Sequence, residues 1–278
     1  MPIRKALYWT IFWISIAIAF NAGIYLNYGH QKALEFLTGY IIEESLSVDN
    51  LFVFLILFKY FRIPPKYQRR VLNWGIVGVI VLRGIFILLG TTLVNQLHFI
   101  LYIFGLILLY SGYKMSFQKD EEVHPERNKV LLLFKKFSRT THEIEGDKFF
   151  IAKEGKKYAT PLMVCLITIE STDIVFAIDS IPAIFAITTD PLIVFSSNIL
   201  AVMGLRSIYF LLAAFSDKFT FVKRGVGIIL VYVGVKMLLP LINPAYQIPT
   251  FVSLLVIISI LFFSVLISMV ITRKNRMI

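Results

Sequence analysis

The chain has 278 residues, of which 58% are hydrophobic and only 16% charged, whereas a soluble domain carries charge on about a quarter of its positions. The apolar residues come in long unbroken runs and not in alternating faces, which excludes a soluble fold and leaves a polytopic membrane protein. The net charge of +11 does not mark a nucleic-acid binder, because most of the basic residues are gathered between the apolar runs.

A hydrocarbon core about 30 Å thick takes roughly 20 apolar residues per helix, and eight such spans are predicted. The first, 8–28, follows Arg4 and Lys5 and is near membrane length. No small-x-small cleavage site follows it, so it reads as a retained anchor and not a signal peptide. Trp9 and Trp13, one turn apart, suit an interfacial belt. Three further spans cover 34–61, 71–94 and 97–117. The 118–159 connection is so charged that it is expected to have little core of its own. The remaining spans are 161–187, 192–215, 225–241 and 250–271. Cys165, the single cysteine, lies inside one of them, cannot form an intramolecular disulfide, and reads as a small packing residue.

The basic residues set the expected topology. They crowd every second connection (Lys59 to Arg70, the 119–157 stretch, Lys218 to Arg224, and the Arg273 tail), while the alternate connections hold only Lys32. Basic loops resist translocation. Both termini are therefore expected in the cytoplasm of a multi-pass protein, with the lipid bilayer as its surroundings and no nucleic-acid partner.

The sequence also contains one three-helix unit twice. Ser47-Val-Asp49-Asn-Leu51-Phe52 matches Ser171-Thr-Asp173-Ile-Val175-Phe176. Leu82-Arg83 aligns with Leu205-Arg206, and Tyr110-x-Gly112-x-Lys114-Met115 with Tyr232-x-Gly234-x-Lys236-Met237. The offsets are 173 − 49 = 124, 206 − 83 = 123 and 236 − 114 = 122. Asp, Arg and Lys within apolar runs do not align by chance. A unit of three helices is odd, so its second copy enters from the opposite side. The expected fold is an all-α membrane bundle with an inverted three-plus-three repeat, a design that places a site between the repeats at mid-membrane. Residues 33–117 and 160–243 form the two units, with 1–30 and 249–278 as peripheral helices.

The chemistry lies in the acids of those units. Asp49 and Asp173 fall near the bilayer centre, Glu43 and Glu44 lie one to two turns from Asp49, Glu170 is one turn before Asp173, and Asp179 lies beyond it. Each costs about 2.5–3.5 kcal/mol at that depth if charged and unpaired. Arg83, Arg206 and Lys236 are the candidate ion-pair partners, Lys114 being close enough to a helix end to snorkel. Six carboxylates outnumber them, and protons or a bound cation must neutralise the remainder. With Asn50, serine and threonine oxygens nearby and no histidine in the core spans, the donor set suits a hard divalent ion such as Mg²⁺, Ca²⁺ or Mn²⁺. Pro182 and the length of the second span predict kinked or discontinuous helices around the site.

Glu43-Glu-Ser-Leu-Ser-Val-Asp-Asn-Leu-Phe-Val53 and Glu170-Ser-Thr-Asp-Ile-Val-Phe-Ala-Ile-Asp-Ser-Ile-Pro-Ala183 resemble the two signature segments of the TerC/Alx family. Ser197-Asn-Ile-Leu-Ala-Val-Met-Gly-Leu-Arg-Ser-Ile-Tyr209 and the Gly-Val-Lys-Met ending at Met237 continue the likeness, which covers about residues 35 to 240. The family is named for tellurium resistance and grouped with the lysine exporter superfamily. The resemblance implies a bacterial inner-membrane transporter exporting manganese(II) as its cargo, with no permanently bound cofactor. It also implies partners in the secretion machinery or among secreted metalloproteins. It assigns the ion pathway to Glu44, Asp49, Asn50, Glu170, Asp173 and Asp179. Two rivals stand beside it. An intramembrane aspartyl protease would carry a Gly-x-Gly-Asp segment, which this sequence lacks, so no enzyme is expected. A non-transporting subunit of a metal- or tellurium-resistance complex would use the same acids to bind an ion structurally.

Overall fold

A computed structural model describes residues 3–117, 125–153, 155–215, 220–243 and 245–275. Lys119, Lys218 and Arg276, among the basic residues used for topology, lie outside them. Eight long helices form a bundle: α1 (Ile3–Tyr28), α2 (His30–Tyr60), α3 (Pro65–Gln96), α4 (Ile100–Phe117), α6 (Pro161–Phe185), α7 (Pro191–Phe215), α8 (Thr220–Ile242) and α9 (Thr250–Asn275). A short α5 (Lys129–Phe137) precedes three small strands, β1 (Arg139–Thr140), β2 (Phe150–Lys153) and β3 (Lys156–Ala159).

Seven of the long helices are long and apolar enough to cross a membrane. The eighth, α2, runs for 31 residues, about 46 Å at 1.5 Å per residue. Its length would span a bilayer, but Glu43, Glu44 and Asp49 lower its apolarity. It is also central, packing on α1, α6, α7, α8 and α9. Leu88, Leu89, Leu106, Phe262 and Phe263 point outward, as a lipid-facing surface requires. α1 rests on α7 and α2, and α9 on α8 and α2.

Prolines start three of the spans, α7 at Pro191 among them. Pro65 and Pro161 open α3 and α6 at the first turn, where a missing N–H costs nothing and the fixed φ favours the helix. The expected breaks around the acids do not occur. α2 is helical throughout, and Pro182 falls in the last turn of α6. There it removes the ladder donor that would reach Ile178 and ends the helix soon afterwards without breaking its middle.

The principal helix pairs are kept on exchanging α2 with α6, α3 with α7 and α4 with α8: α2 packs on α7 as α3 does on α6, and α4 packs on α6 as α2 does on α8. α4 and α8 meet backbone to backbone. A Cβ on Gly112 would lie 2.6 Å from the Gly227 carbonyl, and one on Gly234 2.8 Å from the Gly105 carbonyl. The crossing partners are themselves offset equivalents, 227 − 105 = 122 and 234 − 112 = 122. Small residues let helices approach this closely in lipid.

The described part of the charged connection, 125–153 and 155–159, holds regular elements that its composition does not suggest. β2 and β3 form a hairpin around Gly155, whose φ of +72° suits glycine. β1 joins β3 in parallel. The Thr160 hydroxyl donates to the carbonyls of Lys148 and Phe149, tying this sheet to the start of α6. Arg70 of α3 pairs with Asp147 at 2.5 Å and lies over the Phe149 ring. The architecture is thus an all-α membrane bundle carrying one small sheet outside it.

Candidate functional site

The centre of the bundle is Arg83, which has no exposed surface. It projects from α3 between α2, α6 and α7. Its Nη2 donates to Asp173 Oδ1 at 3.2 Å and its Nε to Asp173 Oδ2 at 3.4 Å, a two-pronged grip on one carboxylate. Its Nη1 forms an ion pair with Glu43 and donates to Asn198 Oδ1 at 3.0 Å. Ser180 is a longer contact at 3.4 Å. Asn198 then donates through Nδ2 to Glu43 Oε2 at 2.9 Å, while the Ser47 hydroxyl donates to Glu43 Oε1 at 3.1 Å. Two carboxylates share one guanidinium, and four helices are joined through it. Arg83 thus pairs with Asp173, one of the ion-pathway acids, and equally with Glu43, which the resemblance leaves out of that set.

Helical periodicity explains which acids meet. Glu43 and Ser47, four apart on α2, share a face and point at Arg83. Glu44 is turned to α7: it accepts from the Tyr40 hydroxyl at 2.8 Å, and a Cβ on Gly204 would lie 3.3 Å from its Oε1. Asp49 is turned towards α8, where Lys223 Nζ lies 3.5 Å away. Asp179 accepts from Ser111 of α4 at 2.5 Å, with Asp49 and Lys114 within electrostatic reach. Asn50 is buried beside Asp49. Glu43 and Asp173 therefore gather around Arg83, Asp49 and Asp179 lie among α2, α4, α6 and α8, and Glu44 faces α7. Among the described residues no three of His, Cys, Asp and Glu are arranged to hold a metal ion.

Glu170 stands apart. Both carboxylate oxygens are buried and accept no hydrogen bond among the described residues. The carboxyl occupies the space a Cβ on Gly78 would need, 2.2 Å from that position. Gly78 is thus the cradle for Glu170, and Asp173 is the neighbouring charge. Gly78→Ala is expected to push the Glu170 side chain out of this cradle. A carboxyl-reactive carbodiimide, followed by mass spectrometry, should label Glu170 at least several-fold more in the variant; equal labelling would show that the cradle does not protect it.

Two basic residues depart from expectation. Arg206 pairs with no carboxylate among the described residues and donates to Asn73 Oδ1 of α3 at 2.6 Å, with Arg69 near it. α7 turns it towards the start of α3, while Lys223 meets the charge of Asp49. Lys236 likewise makes no ion pair there: it donates to Ser253 Oγ of α9 at 2.9 Å, with Glu35 within electrostatic reach. Near that end Lys32 bridges Glu35 at 3.2 Å and Asp190 at 2.9 Å. Burial works against the Asp190 charge, but the Lys32 hydrogen bond and charge, with the amides of Leu192 and Ile193, hold its carboxyl below the ordinary value.

Asn198 and Ser111 are site residues that the sequence reading does not single out. A buried amide inside an apolar span is costly unless bonded, so the reasoning that flags the acids applies to it as well.

A bundle of apolar helices closed around buried carboxylates and one arginine defines a polytopic membrane protein with an ionic centre. The chain matches the "Integral membrane protein TerC family" over residues 28–276 and belongs to that family. It is 44% identical over 270 residues to the "Uncharacterized membrane protein STKORF319" of Myxococcus xanthus, covering 97% of this chain and 84% of that protein. It is 46% identical over 269 residues to the "Putative membrane-bound redox modulator Alx" of Salmonella typhi, covering 94% and 83%. The Alx protein of Escherichia coli K12 is 45% identical with the same coverage. No solved structure matches.

Proposed function

We propose that this protein carries a hard divalent cation, manganese(II) in particular, out across the bacterial inner membrane. The observation that carries the reading is an excess of buried carboxyl groups over cations among the described residues: Glu43 and Asp173 share one arginine, and neither oxygen of Glu170 accepts a hydrogen bond there. Buried carboxylates in lipid need a counter-charge, and ionisable residues at such depth mark ion pathways. The second group, Asp49 and Asp179 with the Ser111 hydroxyl, supplies the same hard oxygen donors. Manganese over magnesium or calcium rests on the family resemblance alone.

The two three-helix units are proposed to be related by a two-fold axis in the membrane plane. The crossed glycine contacts of α4 and α8 and the principal helix pairs kept on exchanging the units support it. On that arrangement both termini and the 118–159 segment face the cytoplasm. Metal binding needs deprotonated carboxylates, so an inward proton flow is the natural coupled movement. The name of the Alx relatives points instead to redox balance. With a single buried cysteine, thiol exchange within this chain is not the route, whereas metal export would affect redox balance indirectly.

A second reading is favoured by the fully bonded Arg83 centre: a non-transporting membrane subunit of a metal- or tellurium-resistance complex. Flux separates the two. Purified protein in liposomes loaded with a manganese-quenched dye should admit manganese faster than empty liposomes, and an opposed proton gradient should accelerate entry. No flux above empty liposomes, with or without a gradient, would set transport aside.

A further inference from the structure

α5 rests on α6, with Leu131 buried against the bundle and most of its other side chains exposed. Asn128, which caps it by accepting from the Leu131 amide at 3.0 Å, also donates through Nδ2 to Ser171 Oγ at 2.6 Å. Ser171 is the eleventh residue of α6, about 15 Å along that helix from its start, and sits between Glu170 and Asp173. At the other end, β1 follows α5 directly and pairs with Tyr158 and Ala159, just before α6 begins. The short helix therefore runs back along α6 in the opposite direction, with its first residues deepest. Leu131 is 1% exposed.

Val130, Leu132, Leu133 and Phe137 are exposed on its outward side, together with Lys129 in the first turn. Backbone at membrane depth is tolerated where it rests on protein, and α5 rests on α6. Lys135 and Lys136 fall in its last turn, nearer the sheet.

We propose that α5 is a gate over Ser171, the neighbour of Glu170 in the middle of α6, swinging on the sheet formed by β1, β2 and β3. The base is firm: Thr160 bonds, the Arg70–Asp147 pair and the strand ladder anchor it. The arm is lightly held. Nine residues are fewer than the 12–15 or so an isolated helix needs for marginal stability. Its docking includes Leu131, the Asn128–Ser171 bond and a bond from the Tyr60 hydroxyl to Glu126 at 2.9 Å. Withdrawal would uncover Ser171 in the middle of α6.

The gate rests on the transport reading for its purpose, but its test does not. In a Cys165→Ala background, Ser171→Cys is the reporter in inside-out membrane vesicles. A charged, impermeant thiol reagent should label it slowly while α5 is docked, and at least tenfold faster when Leu131→Asp or Glu126→Ala loosens the arm. Thermal unfolding of each variant checks that the bundle is intact, and the milder Glu126→Ala serves if Leu131→Asp is not. Equal labelling rates in folded variants would overturn the gate. As a second arm, a short bis-methanethiosulfonate bridging Asn128→Cys and Ser171→Cys should stop manganese flux in liposomes, with recovery on reduction. Unchanged flux in the bridged protein would overturn the gate, whereas no flux in the unbridged wild type would overturn only the transport reading.

Discussion

Arg83→Ala is expected to leave little folded protein. The side chain has no exposed surface and satisfies Glu43, Asp173 and Asn198 together. Removing one partner of a buried ion pair costs about 3–5 kcal/mol, because the remaining charge is stranded. Here two carboxylates are stranded, in a bundle where water cannot replace the lost donor. Proteins are stable by only about 5–15 kcal/mol, so a loss of this size removes much of the margin. Arg83→Lys should rescue part of it, since an ammonium reaches one carboxylate but cannot grip Asp173 with two prongs while holding Glu43. The check is fluorescence-detected size exclusion with thermal unfolding in detergent. Arg206→Ala is the comparison, because Arg206 donates only to Asn73 among the described residues and should shift the melting point little. Equal losses in the two variants would show that depth, and not the Arg83 network, governs stability.

Much of this centre is legible in the sequence, for reasons particular to each residue. Charged residues in an apolar run must find partners, so the depth of Arg83 and Asp173 predicts their meeting. Depth does not give rotation about the helix axis, which is why Arg206, at the equivalent repeat position, faces Asn73 and Lys236 faces Ser253. Rotation also decides between adjacent acids: Glu43 reaches Arg83, while Glu44 looks to Tyr40. Asn198 escapes a search for charge because it carries none, although the cost of burying its amide is the same kind of signal. The 118–159 connection misleads in another way. Its average charge hides the apolar Val-Leu-Leu-Leu-Phe run at 130–134 and the Phe150-Ile-Ala-Lys strand, each shorter than the window over which charge is judged. The glycine contacts of α4 and α8 are foreshadowed in part, since Gly112 and Gly234 belong to a repeated motif. That each meets the partner helix's other glycine requires the packed pair.

Asp49→Asn should abolish manganese flux while leaving the bundle intact, and the repeat-related Asp173→Asn should not separate those effects so cleanly. The sequence repeat makes the two positions equivalent, but the structure gives them different partners. Asp49 is 15% exposed in its side chain and lies 3.5 Å from Lys223, itself 35% exposed. Water and a mobile lysine can absorb the loss of that charge, and an amide keeps the oxygen and the volume. Asp173 is 2% exposed in its side chain and binds the fully buried Arg83. Its replacement by Asn leaves the guanidinium with Glu43 as its only carboxylate partner among the described residues, and a buried charge that loses a partner weakens the fold. Asp49→Asn is therefore expected to keep a melting temperature within a few degrees of wild type and to lose flux by at least tenfold. Asp173→Asn is expected to lose both flux and several degrees, with Glu145→Gln in the exposed segment as the inert control. The measurements are dye quenching in liposomes and thermal unfolding of the same preparations. If Asp49→Asn carried manganese at the wild-type rate, the group formed by Asp49, Asp179 and Ser111 would not be on the path of the ion. The route would then have to run through Glu170 and the Arg83 centre alone.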